Sequence, residues 1–105
     1  MAIKYELKMT NRAKKDLDDI YNYISECLME DKTAQNLINK IERMILRLES
    51  FPESCAVIDN LNKKNKVYRK LVINNYIVIY RVDKKYKMLY IVRVVYGGQN
   101  YLNYI

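Results

Sequence analysis

A two-layer α+β fold with the order β-α-α-β-β-β is predicted from three features of the sequence. Two amphipathic helical stretches fill the first half. A dense run of β-branched and aromatic residues fills the second. Pro52 stands where one texture gives way to the other. The chain opens with Ile3, Tyr5 and Leu7 alternating with Lys4, Glu6 and Lys8, the period of a half-buried strand. Thr10 or Asn11 then offers a short polar side chain to cap a helix. The apolar series Ala13, Leu17, Ile20, Ile24 and Leu28 follows at helical spacing, with Tyr21 on its flank. Asp16, Asp18, Asp19, Lys14 and Lys15 are read as the opposite, solvated side.

Residues 30–33 break the pattern, and Asp31 is a suitable cap for a second helix. The stripe Ala34, Leu37, Ile38, Ile41, Met44 or Ile45, and Leu48 marks the clearest amphipathic helix of the chain. Ser50-Phe51-Pro52 ends it, because proline cannot continue the hydrogen-bond ladder and restrains the residue before it. So short a link makes the two helices an antiparallel hairpin. Residues 53–65 read as a loop. Strands are predicted over 67–73, 76–82 and 88–96, joined by turns at Asn74-Asn75 and at 83–86; Gly97-Gly98 terminates the last. These three strands form an antiparallel meander, one face of which must accept the helical stripes. Residues 1–105 make a single domain without linker or repeat.

Composition narrows the function. Half the residues are hydrophobic and 30% charged, the balance of a folded protein rather than a disordered one. The absence of histidine excludes a Ser-His-Asp triad, a histidine general base and most zinc sites. Cys27 and Cys55 are too few for a disulfide framework and do not form a close redox or metal-binding pair. They read as reduced thiols of a cytoplasmic protein. No stretch has the length of a signal peptide or of a membrane span, so no membrane partner is expected.

The net charge of +7 is unevenly placed. Residues 1–59 carry 9 Lys/Arg and 11 Asp/Glu, whereas residues 60–105 carry 10 Lys/Arg and one acid, Asp83. The basic excess therefore belongs to the meander and the loop before it, and an acidic partner or nucleic acid is expected there. Each predicted strand holds one arginine: Arg69, Arg81 and Arg93. Lys63, Lys64, Lys66 and Lys70 lie in or beside the first strand. A register that brings the arginines to one face, beside Tyr96, Tyr68 or Tyr80, would make a surface able to fork onto phosphate or carboxylate and to stack on bases.

Three stretches in this order resemble the RelE/ParE superfamily, the toxins of bacterial type II toxin–antitoxin systems. They are residues 13–24, Phe51-Pro52 after the second helix, and Tyr68-Arg69-Lys70-Leu71 continuing through 75–82 to 91–98. The first is similar to the opening helix of the ParE branch. The resemblance implies a small toxin that inhibits growth, neutralised by a cognate antitoxin, with a role in plasmid stabilisation. It implies no metal and no organic cofactor, and an assembly that is a homodimer or a toxin–antitoxin hetero-oligomer.

Two targets follow from it: DNA gyrase for ParE-like members, and ribosome-bound mRNA for RelE-like endoribonucleases. Cleavage through a 2′-hydroxyl needs a proton acceptor, a proton donor and positive charge on the phosphorane. Here Arg69, Lys70, Arg81, Arg93, Tyr96 and Tyr101 would have to supply them. The RelE pattern places an arginine after the tyrosine matched by Tyr76 and another after the last strand; this chain has Ile77 and Gly97-Gly98-Gln99-Asn100. That favours the ParE-like, non-enzymatic reading. The residues expected to meet the target or the antitoxin are Lys63, Lys64, Lys66, Arg69, Lys70, Arg81, Arg93 and Tyr96.

Overall fold

The alternation of Tyr5, Leu7 and Met9 with exposed Glu6 and Lys8 produces a first strand, β1, at Glu6–Met9. The structure, a computed structural model, describes residues 4–58 and 66–97, so Ile3, Lys63, Lys64, Gly98 and Tyr101 lie outside the described residues. Thr10 caps α1 (Asn11–Asn22): its hydroxyl accepts the Ala13 N–H at 3.0 Å and donates to the Val92 carbonyl at 2.9 Å. One side chain thus both starts the helix and ties it to the last strand.

The helix does not end at Asn22. It widens into a π-helical turn over Tyr23–Cys27, and Met29, at φ 53°, reverses the chain. The second helix, α2, spans Asp31–Arg47. Glu30 rather than Asp31 occupies its cap position; Asp31 sits in the first turn, where its negative charge meets the helix dipole. Its carboxylate accepts a hydrogen bond from Ser25. The predicted stripe is buried as expected, with Ala34, Ile38, Ile41, Ile45 and Leu48 inside and Leu37 and Met44 half-covered.

The sheet has five strands in the order β1-β5-β4-β3-β2. The predicted meander is β3 (Tyr68–Ile73), β4 (Tyr76–Asp83) and β5 (Met88–Tyr96), all antiparallel. Asn74 turns the first hairpin with φ 53°, a conformation asparagine tolerates better than most residues. Two features were not expected. A two-residue strand, β2 (Ala56–Val57), emerges from the loop and pairs with Arg69 and Lys70. And β1 pairs in parallel with the far strand β5, which encloses the meander at its other side.

The helices lie on one face of the sheet. There Ala13, Ile41, Ile45 and Leu48 pack with Leu71, Ile73, Val78, Tyr80, Leu89, Ile91 and Val94. Each fully buried aliphatic side chain stabilises by about 1.5–3 kcal/mol. A second, smaller cluster of Ile58, Ile77, Ile79 and Val95 forms on the other face, against Tyr68 and Val92. Among the described residues, no helix is long and apolar enough to cross a membrane.

Candidate functional site

Strand alternation and register decide where the cations go. Arg69 lies opposite Tyr80, and Tyr68 opposite Arg81, so Arg69 and Arg81 are diagonal neighbours on opposite faces of the β3–β4 ladder. Both reach the same open end of the sheet. They line a hollow of about 450 Å³ together with Lys66, Lys84, Glu53, Asp83, Val67 and Val82. Four cations and two carboxylates thus meet in one place.

The carboxylates are already occupied. Glu53 is 3.5 Å from Arg69 Nη2 and 3.0 Å from Lys84 Nζ. The Asp83 carboxylate accepts the N–H groups of Lys85 and Tyr86 at 3.1 and 3.2 Å, which folds the β4–β5 turn. Arg69 is held further by donating to the Cys55 carbonyl at 2.7 Å and to the Glu53 carbonyl at 3.3 Å. The Arg81 guanidinium lies 4.4 Å from the centre of the Tyr90 ring, which orients it without neutralising it. Lys66 is exposed at the rim. The hollow keeps an excess of positive charge, carried by Lys66 and Arg81.

Arg93 does not join this cluster, contrary to the expected convergence of the three arginines. It is 8% exposed, and its Nε and Nη2 donate to the Asp16 carboxylate of α1 at 2.7 and 3.1 Å. The same carboxylate accepts the Val94 N–H at 3.0 Å. Asp16, expected on the solvated side of its helix, is 7% exposed. The signal for it was present: Asp16 stands three residues after Ala13 and four before Ile20, on the apolar stripe itself. A carboxylate there requires a buried partner, and Arg93 is that partner. Lys70 is half-buried on β3, paired in register with Ile79 and Ala56.

Tyr96 lies away from the basic hollow. It meets Tyr76 edge to face, with centroids 5.9 Å apart, in a different hollow between α1 and the end of β5. Tyr80 is wholly buried and donates its hydroxyl to the Pro52 carbonyl at 3.0 Å. Burial first, and then the side chain of Cys55, push the Tyr80 phenol well above its ordinary value, so it stays neutral. It anchors the turn after α2 and takes no part in the surface. Among the described residues, no group of three or more His, Cys, Asp or Glu side chains could hold a metal ion.

A comparison with family models matches residues 7–101 to the ParE toxin of the type II toxin–antitoxin system parDE. The chain belongs to the ParE toxin family. As a member of that family it is the toxin of a type II toxin–antitoxin system. Solved structures share its fold. A chain of the chromosomal ParDE system from P. aeruginosa superposes with a TM-score of 0.71 at 22% identity, covering 90% of this chain and 98% of the other. A chain of the RelBE2 toxin–antitoxin complex from Mycobacterium tuberculosis gives 0.67 at 15% identity, with 92% and 95% covered. One from the archaeal RelE–RelB complex of Pyrococcus horikoshii gives 0.64 at 20%, with 91% and 98% covered. No curated protein sequence matches the chain.

Proposed function

We propose that this ParE-family toxin inhibits growth without cutting RNA, by binding DNA gyrase through the basic hollow at the sheet end. The observation that carries the reading is the burial of Arg93 against Asp16. An arginine forked onto an internal carboxylate cannot also stabilise a phosphorane, and Ile77, standing where the RelE pattern has an arginine, is buried in the second cluster. Arg69 is engaged by two carbonyls and Glu53. Among the described residues Arg93 and Arg69 are thus committed within the fold, whereas Arg81, Lys66 and Lys84 suit the recognition of an acidic surface.

The partner that silences the toxin is a cognate antitoxin, and the surface supports one way of holding it. A small apolar hollow of about 200 Å³, lined by Met44, Leu48, Phe51, Cys55 and Leu71, adjoins the basic one through the turn at 53–55. Phe51 is 62% exposed there. An amphipathic segment with acidic residues beside its apolar anchors would cover both hollows at once.

The test is to add the purified toxin to a gyrase supercoiling assay and, separately, to translating ribosomes. Loss of supercoiling with intact mRNA is expected. Codon-positioned cleavage of ribosome-bound mRNA, with supercoiling unaffected, would establish a RelE-like endoribonuclease instead.

A further inference from the structure

The second large hollow has a chemistry opposite to that of the basic one. It encloses about 570 Å³ between α1 and the end of β5, and its walls include Asp19, Tyr23, Tyr76 and Tyr96. Tyr23 opens the π-helical turn, and its ring is 57% exposed. Such π-helical insertions are frequent at functional sites. Tyr96 is 47% exposed and stands edge to face against Tyr76. The three phenols are close enough to act on one another: after burial, Tyr96 and Tyr23 are what push the Tyr76 phenol up.

The charged groups of the hollow divide into a closed pair and an open one. Arg93 and Asp16 neutralise each other inside. Asp19 is largely exposed, held by Lys15 at 3.3 Å in a surface pair that contributes little. A ligand entering here therefore meets the aliphatic side chains of Ile20, Val94 and Val95, electron-rich rings with their phenol oxygens, and one carboxylate that is easily released. An anion gains nothing here, since Arg93 is already forked onto Asp16 and Lys15 already faces Asp19. A short apolar group would cover Ile20, Val94 and Val95 but gain nothing from the rings' electron density or from Asp19. A planar cation on an aliphatic stem fits all of them, its stem over the aliphatic wall, its plane on a ring and its N–H groups on the oxygens.

We infer that this tyrosine-lined hollow takes an arginine side chain presented by the antitoxin. The inference rests on the reading above only in naming the antitoxin as the polypeptide that presents it. It means that the antitoxin is held by two opposite charges, acidic groups at the sheet end and one basic group at α1. Such an arrangement fixes the direction in which the segment runs and rejects segments of uniform charge.

The test uses neither gyrase nor antitoxin. The toxin is titrated with N-acetyl-arginine methylamide, followed by NMR on the tyrosine ring signals, with the corresponding blocked glutamate and leucine compounds at equal ionic strength. Saturable shifts confined to Tyr23, Tyr76 and Tyr96, several-fold tighter for arginine than for leucine or glutamate, are expected. Asp19→Asn, at an exposed position that leaves the fold intact, should weaken arginine binding about two- to five-fold. Tyr96→Leu should weaken it to the level of the leucine compound. Equal binding of all three compounds, no saturable shift, or an Asp19→Asn variant that binds arginine unchanged would each overturn the inference.

Discussion

Removing the carboxylate of Asp16 should unfold much of the molecule, although the residue lies on a surface-facing helix of a basic protein. Two costs add. Arg93, a buried charge, loses the Asp16 carboxylate, and breaking such a pair typically costs about 3–5 kcal/mol. The Val94 N–H also loses its acceptor, a further ~1–3 kcal/mol in Asp16→Ala where no water replaces it. A domain of this size has only about 5–15 kcal/mol in total. Asp16→Ala is therefore expected to lower the melting temperature by roughly 20 °C or more. Asp16→Asn keeps an acceptor for Val94 and should lose about 3 kcal/mol.

The decisive comparison is the double variant Asp16→Asn with Arg93→Met. It strands no charge, so its stability should return to within about 1–2 kcal/mol of the parent, far better than the sum of the single losses. Urea unfolding followed by far-UV circular dichroism measures the parent, the single variants Asp16→Asn and Arg93→Met, and the double variant. If Asp16→Asn costs less than about 1 kcal/mol, or if the double variant loses as much as both singles together, the pair does not hold the fold as described. The same proteins separate structure from chemistry. The double variant should still inhibit growth; its failure to do so while stably folded would return Arg93 to the functional surface.

Arg81→Ala and Lys84→Glu together should abolish growth inhibition while shifting stability by no more than about 1 kcal/mol, read from plating efficiency alongside urea unfolding. Tyr80→Phe removes a hydroxyl bonded to the Pro52 carbonyl and should cost about 1 kcal/mol at neutral pH. In the parent the Tyr80 phenol is raised above 10.0, so its contribution is intact below that pH and is lost as pH rises beyond it, while the unfolded chain ionises first. Tyr80→Phe should therefore flatten the alkaline arm of a melting-temperature profile. Thr10→Ala should cost about 1 kcal/mol through the lost helix cap, seen as a lower urea midpoint at unchanged slope. Met29→Gly should stabilise by about 0.5–1 kcal/mol, because Met29 is exposed and holds a left-handed backbone that glycine adopts without strain.

Local patterns in the sequence carried most of the fold. The α2 stripe, the Thr10 cap and the Asn74 turn each depend on residues a few positions apart and are found as read; the first stripe holds through Ile24, but Leu28 beyond the π-helical turn is exposed and Asp16 is buried. The short strand β2 was not legible, because Ala56-Val57 has no period of its own; its pairing with Arg69 and Lys70 is decided by the Tyr80 anchor and by Arg69 holding the 53–55 turn. The parallel seating of β1 on β5 was equally hidden, since nothing in Tyr5, Leu7 and Met9 names a partner. Of the expected cations, Arg69, Arg81 and Lys66 line one hollow, but the two arginines reach it from opposite faces of the β3–β4 ladder rather than from one. The Glu53 carboxylate in that hollow was not legible, because it arrives from a loop.

The misplacement of Arg93 has a sharper cause. Simple alternation along β5 puts Leu89, Ile91, Arg93 and Val95 on one face, and Tyr90, Val92, Val94 and Tyr96 on the other. The ladder does not keep that alternation. Tyr80 pairs with Ile91 and Ile79 with Arg93, so Val92 is an extra residue, a β-bulge. Beyond it the faces exchange: Val94 joins Leu89 and Ile91 in the helix-side core, and Val95 joins the second cluster. Arg93 stands at the break. At the same level β1 runs out, its last pair being Met9 with Ile91, and α1 begins. The edge of β5 past that point would expose backbone groups to unwanted pairing. Thr10 donates to the Val92 carbonyl and Asp16 accepts from Val94, so the cap of α1 and one side chain within it continue the hydrogen bonding that β1 stops providing. The charge of Asp16 then requires a cation at the bulge, which is where Arg93 lies. On this account the ion pair is a consequence of a helix sealing a sheet edge. A lysine at position 93, lacking the planar fork, should fail to replace it, whereas a longer β1 should make it dispensable.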